Sequence, residues 1–143
     1  MAKFITPYDT LLRVRRIEED KAKAALAEAN AAQRAAQTVL STRVQEYPKV
    51  VRPPDAETDL SGFQRHHAVA QAAASSVTLA RQCLEDAQET TVQARGDVRT
   101  ASMRTQGLER LVERAREERF AEMLTVDQRA AEESATRRKK GRR

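Results

Sequence analysis

Apolar and polar positions alternate in steps of three and four along most of the chain. From Phe63 the steps land on His66, Ala70, Ala73, Val77, Ala80, Leu84, Ala87, Thr91, Ala94, Val98, Ala101, Thr105, Leu108, Val112 and Ala115. Only His66, Thr91 and Thr105 among these are not apolar. A period of about 3.5 held this long predicts a coiled-coil seam rather than a globular helix. At about 1.5 Å per residue the seam is on the order of 80 Å long. A helix with one apolar stripe is not stable alone in water, so a second element has to cover it.

The amino-terminal part supplies that element. Thr6 reads as an N-cap, Pro7 suits the first helical position, and Asp9 suits the positive helix end. Leu11, Ala22, Ala25, Ala29, Ala32, Ala36 and Val39 keep the three-four spacing, with Arg15 and Glu18 as polar members. Leu12, Leu26, Leu40 and Tyr47 widen the stripe on one flank. Pro48, Pro53 and Pro54 then break the helical pattern.

The spacing predicts a helix over about 7–46, an irregular connector over about 47–59 and a helix over about 60–136. Asp55, Thr58, Asp59 and Ser61 are candidate N-caps for the second helix. That helix is read as continuous through Ser75 and Gly96, the alternative being a separate short helix ending near 75 or 94. After Ala115 the stripe slips by one residue and resumes at Phe120, Leu124, Ala131 and Ala135.

Two seams joined by a short Pro-rich connector fold back on each other most simply. The expected fold is all-α, an antiparallel coiled-coil hairpin in one domain over 1–143. The second helix is the longer, and 137–143 form a basic disordered tail. A turn at 47–59 sets Glu46 near Leu60 and Pro7 near residue 99. Leu108, Val112, Phe120 and Leu124 then project past the first helix as an uncovered apolar strip among arginines, a surface expected to dock into a partner. A bend near Gly96 that lets the first helix cover the strip is the alternative.

Composition agrees with long helices. The chain has no Trp, two Tyr, three Phe and 33% charged residues, too few large apolar groups for a globular core. Its single cysteine, Cys83, excludes an intrachain disulfide. No apolar run matches a signal peptide or a membrane span, so a cytosolic protein without membrane insertion is expected.

The net charge of +5 owes much to the closing TRRKKGRR. That tail has no interleaved aromatics for base stacking, and nucleic acid is not the expected partner. His66 and His67 point about 100° apart on a helix and match no tetrahedral metal site. The Glu/Arg clusters read as solvated i,i+4 pairs, and a two-helix rod offers no dehydrated pocket for acid–base chemistry. No enzyme and no cofactor are expected.

Both ends carry a resemblance. Leu11–Ala29, LLRVRRIEEDKAKAALAEA, resembles the amino end of the FliJ family of the flagellar export apparatus. Leu108–Arg138, with its Leu-Glu-Arg-Leu, its Glu/Arg run and its Asp-x-x-Ala-Ala segment, resembles that family's carboxy end.

The resemblance implies a cytoplasmic coiled-coil stalk at the inner face of the membrane at the flagellar base. It would link the export ATPase hexamer to the export-gate membrane protein, engage export chaperones and hydrolyse nothing. By position it points to Leu40, Tyr47 and Phe63 for the gate, and to Arg13, Arg16, Arg110 and Arg114 for the ATPase. The apolar strip adds Leu108 and Val112 to the second set. The stalk of a virulence secretion system, a basic nucleic-acid-associated coiled coil and a parallel tethering dimer are the alternatives.

Overall fold

The computed structural model describes residues 5–53 and 58–141. Two helices account for nearly all of them: α1, Asp9–Val50, and α2, Leu60–Lys140. α2 runs without interruption through Ser75, Gly96 and Gly107. No strand occurs among the described residues. The residues divide into two compact units, one of Asp20–Arg99 and one of Met1–Glu19 with Thr100–Arg143. Each contains a stretch of both helices.

In the unit of Asp20–Arg99 the helices are antiparallel. Tyr47 and Val44 line a groove with Ala74, Val77, Thr78 and Arg81, and further along Ala29 faces Thr91. Ala80, Leu84, Thr91 and Ala94 are buried on α2, and Ala29 is buried on α1. The Thr91 hydroxyl donates to the Ala87 carbonyl at 2.9 Å, and it also reaches the Ala29 carbonyl of the other helix at 3.3 Å. Only a small residue at position 29 lets the backbones come this close.

The other unit is antiparallel as well. Ser102 donates to Glu19 at 2.9 Å, and Thr105 reaches the Arg15 carbonyl at 3.3 Å. Arg16 pairs with Glu109 and Arg116 with Asp9, each at 3.1 Å. Leu12, Thr105 and Val112 are its buried seam residues. All of this matches the expected all-α fold, antiparallel with the second helix longer.

The seam of α2 falls where the sequence spacing puts it. Every expected position from His66 to Ala115 is buried or half-buried, and Phe63 is exposed. The seam of α1 takes the other phase. Its buried and half-buried members include Leu12, Arg15, Glu19, Ala22, Leu26, Ala29, Gln33, Ala36 and Leu40. Leu11, Glu18, Ala25, Ala32 and Val39 are exposed. The leucines read as a flank are therefore the seam. A buried Leu contributes roughly 1.5–3 kcal/mol and a buried methyl roughly 0.8, so the stripe centres on the leucines. Of the polar residues drawn in with them, Glu19 accepts from Ser102 and Arg15 pairs with Glu18.

Two boundaries also differ from expectation. α1 continues through Pro48 to Val50, because Pro48 sits in the last turn and Val51 N–H still donates to the Tyr47 carbonyl at 3.0 Å. The one bond lost to the proline leaves the carbonyl of exposed Val44 to solvent. α2 continues to Lys140, so Arg137–Lys140 are helical rather than a disordered tail. Lys and Arg are good helix formers and are favoured at the negative helix end.

The expected register is shifted too. Tyr47 lies beside Ala74 and Val77 rather than near Leu60, and Asp9 reaches Arg116 rather than residue 99. The first turns of α2 extend past Val50.

The helix starts are capped as their sequences suggest. Asp9 accepts from both the backbone N–H and the hydroxyl of Thr6, and its own N–H donates to the Thr6 carbonyl at 3.1 Å, so the carboxylate rather than the Thr6 hydroxyl ties down this helix start. Asp59 accepts from Gly62 N–H at 2.7 Å and is the N-cap of α2. Asp55 lies outside the described residues.

Candidate partner-binding surfaces

Tyr47 and Val44 sit on successive turns of α1, opposite Ala74, Val77 and Thr78 of α2. Alanine at 74 leaves room between the helices, and the result is a shallow apolar groove edged by the Arg81 guanidinium. Tyr47 is about one third exposed, at 37%. Leu40 is half-buried in the seam two turns away. Phe63 is 56% exposed near the start of α2 and does not line the groove. The three residues expected to share one gate-facing site are thus one groove residue, one seam residue and one separate surface aromatic.

In the unit of Met1–Glu19 with Thr100–Arg143, Leu12 and Val112 form the floor of a charged groove. Its walls are Asp9, Arg13, Arg16, Glu109, Glu113, Arg116 and Glu117. Arg13 and Arg16 belong to it as expected, with Arg16 held by Glu109. Arg110 and Arg114 are exposed on α2 outside it.

Leu108 and Val112 do not project. Val112 is 3% exposed and Leu108 is half-buried. The two-heptad shift in register carries α1 across the strip that the earlier turn position leaves bare. The alternative of coverage by α1 is the one realised, on an α2 that is helical through Gly96.

The uncovered strip begins further on. Phe120 is 62% exposed, Leu124 is 47% exposed, and Met123 and Val126 are also exposed. Every described residue from Arg116 to Gly141 is exposed. Periodicity placed Phe120 and Leu124 on this strip but missed Met123 and Val126, which lie off the stripe. The closing turn of α2 is wholly basic: Arg137, Arg138, Lys139 and Lys140. Arg119 pairs with Glu122 at 3.1 Å. His66 is half-buried, as a polar member of the seam, and His67 is exposed. No helix among the described residues is long and apolar enough to cross a membrane.

Compared with known families, residues 4–143 match the model of one described as Flagellar FliJ protein. Among curated proteins and among solved structures, nothing matches the chain.

Proposed function

The chain belongs to the FliJ family and is a coiled-coil protein of flagellar export, and on that premise we propose that it is a non-enzymatic stalk. The exposed carboxy-terminal stretch of α2 engages the export ATPase hexamer, and the groove beside Tyr47 engages the export gate. Export chaperones are further partners. It works in the cytoplasm, at the inner face of the membrane beneath the flagellum, and carries no reaction of its own.

One observation supports this reading above the others. α2 stays helical to Lys140 while every described residue from Arg116 onward is exposed, including Phe120, Met123, Leu124 and Val126. Exposed large apolar groups grouped on one short stretch mark an interaction site. Burying each in a partner would contribute roughly 1.5–3 kcal/mol. The paired part of each unit supplies the stiffness that a link between two assemblies needs. Where Thr91 meets Ala29 and Thr105 meets Arg15, the helix backbones come close together. In the unit of Asp20–Arg99, the groove beside Tyr47 offers an apolar recess edged by Arg81, a smaller surface suited to a transient contact with the gate.

The test is association of the purified chain with the cognate export ATPase. Phe120→Ser combined with Leu124→Ser is expected to weaken association by about tenfold or more while the circular dichroism spectrum and melting temperature stay unchanged. Undiminished association of the double variant overturns the assignment.

A further inference from the structure

The exposed arm of α2 has two parts with different chemistry. Its base carries Phe120, Met123, Leu124 and Val126. Its closing turn carries Arg137, Arg138, Lys139 and Lys140, and no acidic residue follows Glu133 in the sequence, which ends with two more arginines. At about 1.5 Å per residue the basic turn leads the apolar base by roughly 25 Å.

We infer that the arm inserts into a recessed acidic surface, with the basic turn setting the rate of arrival and the apolar base setting the lifetime of the complex. The inference rests on the reading that this arm docks into the export ATPase, and adds the charge of the receiving surface and a division of labour.

Charge placement carries it. At physiological salt, fields are screened within about 8 Å, so charges steer an approaching arm only when they lead it. Here they occupy its last turn. The apolar groups come behind, where they reach a partner only after insertion, and burial of apolar area slows dissociation rather than speeding encounter.

Other polyanions use one part only. A nucleic-acid backbone lying along the arm would meet Glu117, Glu118, Glu122, Asp127, Glu132 and Glu133 as well as the basic turn. An anionic membrane met end-on would take the basic turn and leave Phe120 and Leu124 in water. A recess lined with carboxylates at its depth and apolar groups at its mouth takes both parts at once.

The experiment measures association and dissociation rates on the immobilised cognate export ATPase between about 50 and 300 mM salt. The first variant combines Arg137→Gln, Arg138→Gln, Lys139→Gln and Lys140→Gln. Glutamine is as good a helix former as the residues it replaces. Its association rate should fall about tenfold at low salt and lose most of its salt dependence, with dissociation changed by less than about twofold. Phe120→Ser with Leu124→Ser should do the reverse, speeding dissociation by about tenfold or more.

A quadruple variant that associates at the unmodified rate overturns the inference while leaving the ATPase reading intact. So does a quadruple variant that loses only duplex DNA binding or only binding to vesicles with anionic headgroups. If the unmodified chain does not bind the ATPase, the proposed function falls and this inference with it.

Discussion

The hydroxyl of Thr91 lies 3.3 Å from the backbone carbonyl of Ala29 on the opposite helix, and the same hydroxyl donates to Ala87 at 2.9 Å on its own. Thr105 repeats the arrangement with Arg15 and Ala101 at 3.3 and 3.1 Å. Both threonines are buried. A hydroxyl in an apolar seam is costly only when it finds no partner. Here each finds a carbonyl on its own helix, and the close approach of the second helix offers another. These threonines thus fill a narrow gap without leaving a polar atom unpaired.

Thr91→Val keeps the shape and removes the hydroxyl. Both carbonyls it touches lie inside helices with backbone donors of their own, so neither is orphaned. Stability should change by less than about 1 kcal/mol. Thr91→Leu puts extra volume between backbones that have no room for it, and should destabilise by about 1–3 kcal/mol. Thermal unfolding of the two variants checks the pair. A leucine variant as stable as the valine variant would mean that the helices are not closely packed here.

Val112 is buried beside Leu12. Val112→Asp places a carboxylate in that seam and should cost about 3 kcal/mol or more. Helicity should drop, with a melting temperature well below that of the unmodified chain. Phe120→Asp, on the exposed arm, should leave both unchanged. Equal effects of the two substitutions on circular dichroism would refute the register described above.

Cysteines introduced by Ala29→Cys and Thr91→Cys, with Cys83→Ser removing the native thiol, report the pairing directly. Mild oxidation should close a bond within one chain and give a product of monomer mass on a denaturing gel without reductant. Ala25→Cys with Ala80→Cys, the pair that a turn at 47–59 brings together, should not close. A product of dimer mass from the first pair would indicate pairing between chains instead.

The glycines separate by what surrounds them. A Cβ added at Gly96 or Gly107 meets nothing within 4 Å. Alanine at either should therefore stabilise α2 by about 0.5–1 kcal/mol. At Gly62 the added Cβ would lie 2.5 Å from Thr58 Cγ2 and 3.0 Å from Asp59 Oδ1. Alanine there disturbs the cap that Asp59 makes with Gly62 N–H and should lower the melting temperature. Denaturant titration of the three variants reads both signs.

Tyr47→Ala opens the groove against Ala74 and Val77. The ring is already partly exposed, so helicity and ATPase association should persist with only a small fall in melting temperature. Swimming motility should drop if the groove meets the export gate. Normal motility with a stable protein would remove Tyr47 from the gate surface.

How far the sequence leads differs between the helices. The seam of α2 from His66 to Ala115 is legible in the order of residues alone, because a side chain's direction on a helix depends only on its position in the turn. The capping roles of Thr6, Asp9 and Asp59 are equally local. The resemblance of the two ends to the FliJ family is borne out by the family match over residues 4–143.

The sequence leaves the phase of the α1 stripe open, since Ala25 and Leu26 or Ala32 and Gln33 are neighbours and either alternation keeps a heptad. It also leaves the axial register open. A heptad seam matches its partner at every shift of seven residues, so periodicity cannot choose among them. Tertiary structure makes that choice through contacts that do not repeat: Leu12 beside Val112, Asp9 with Arg116, Arg16 with Glu109 and Glu19 with Ser102. Exposed ion pairs contribute only about 0.2–1 kcal/mol each, but they lie on one register and not its neighbours. That register buries Val112 and leaves Phe120 and Leu124 bare, a distinction that exists only once the second helix is in place.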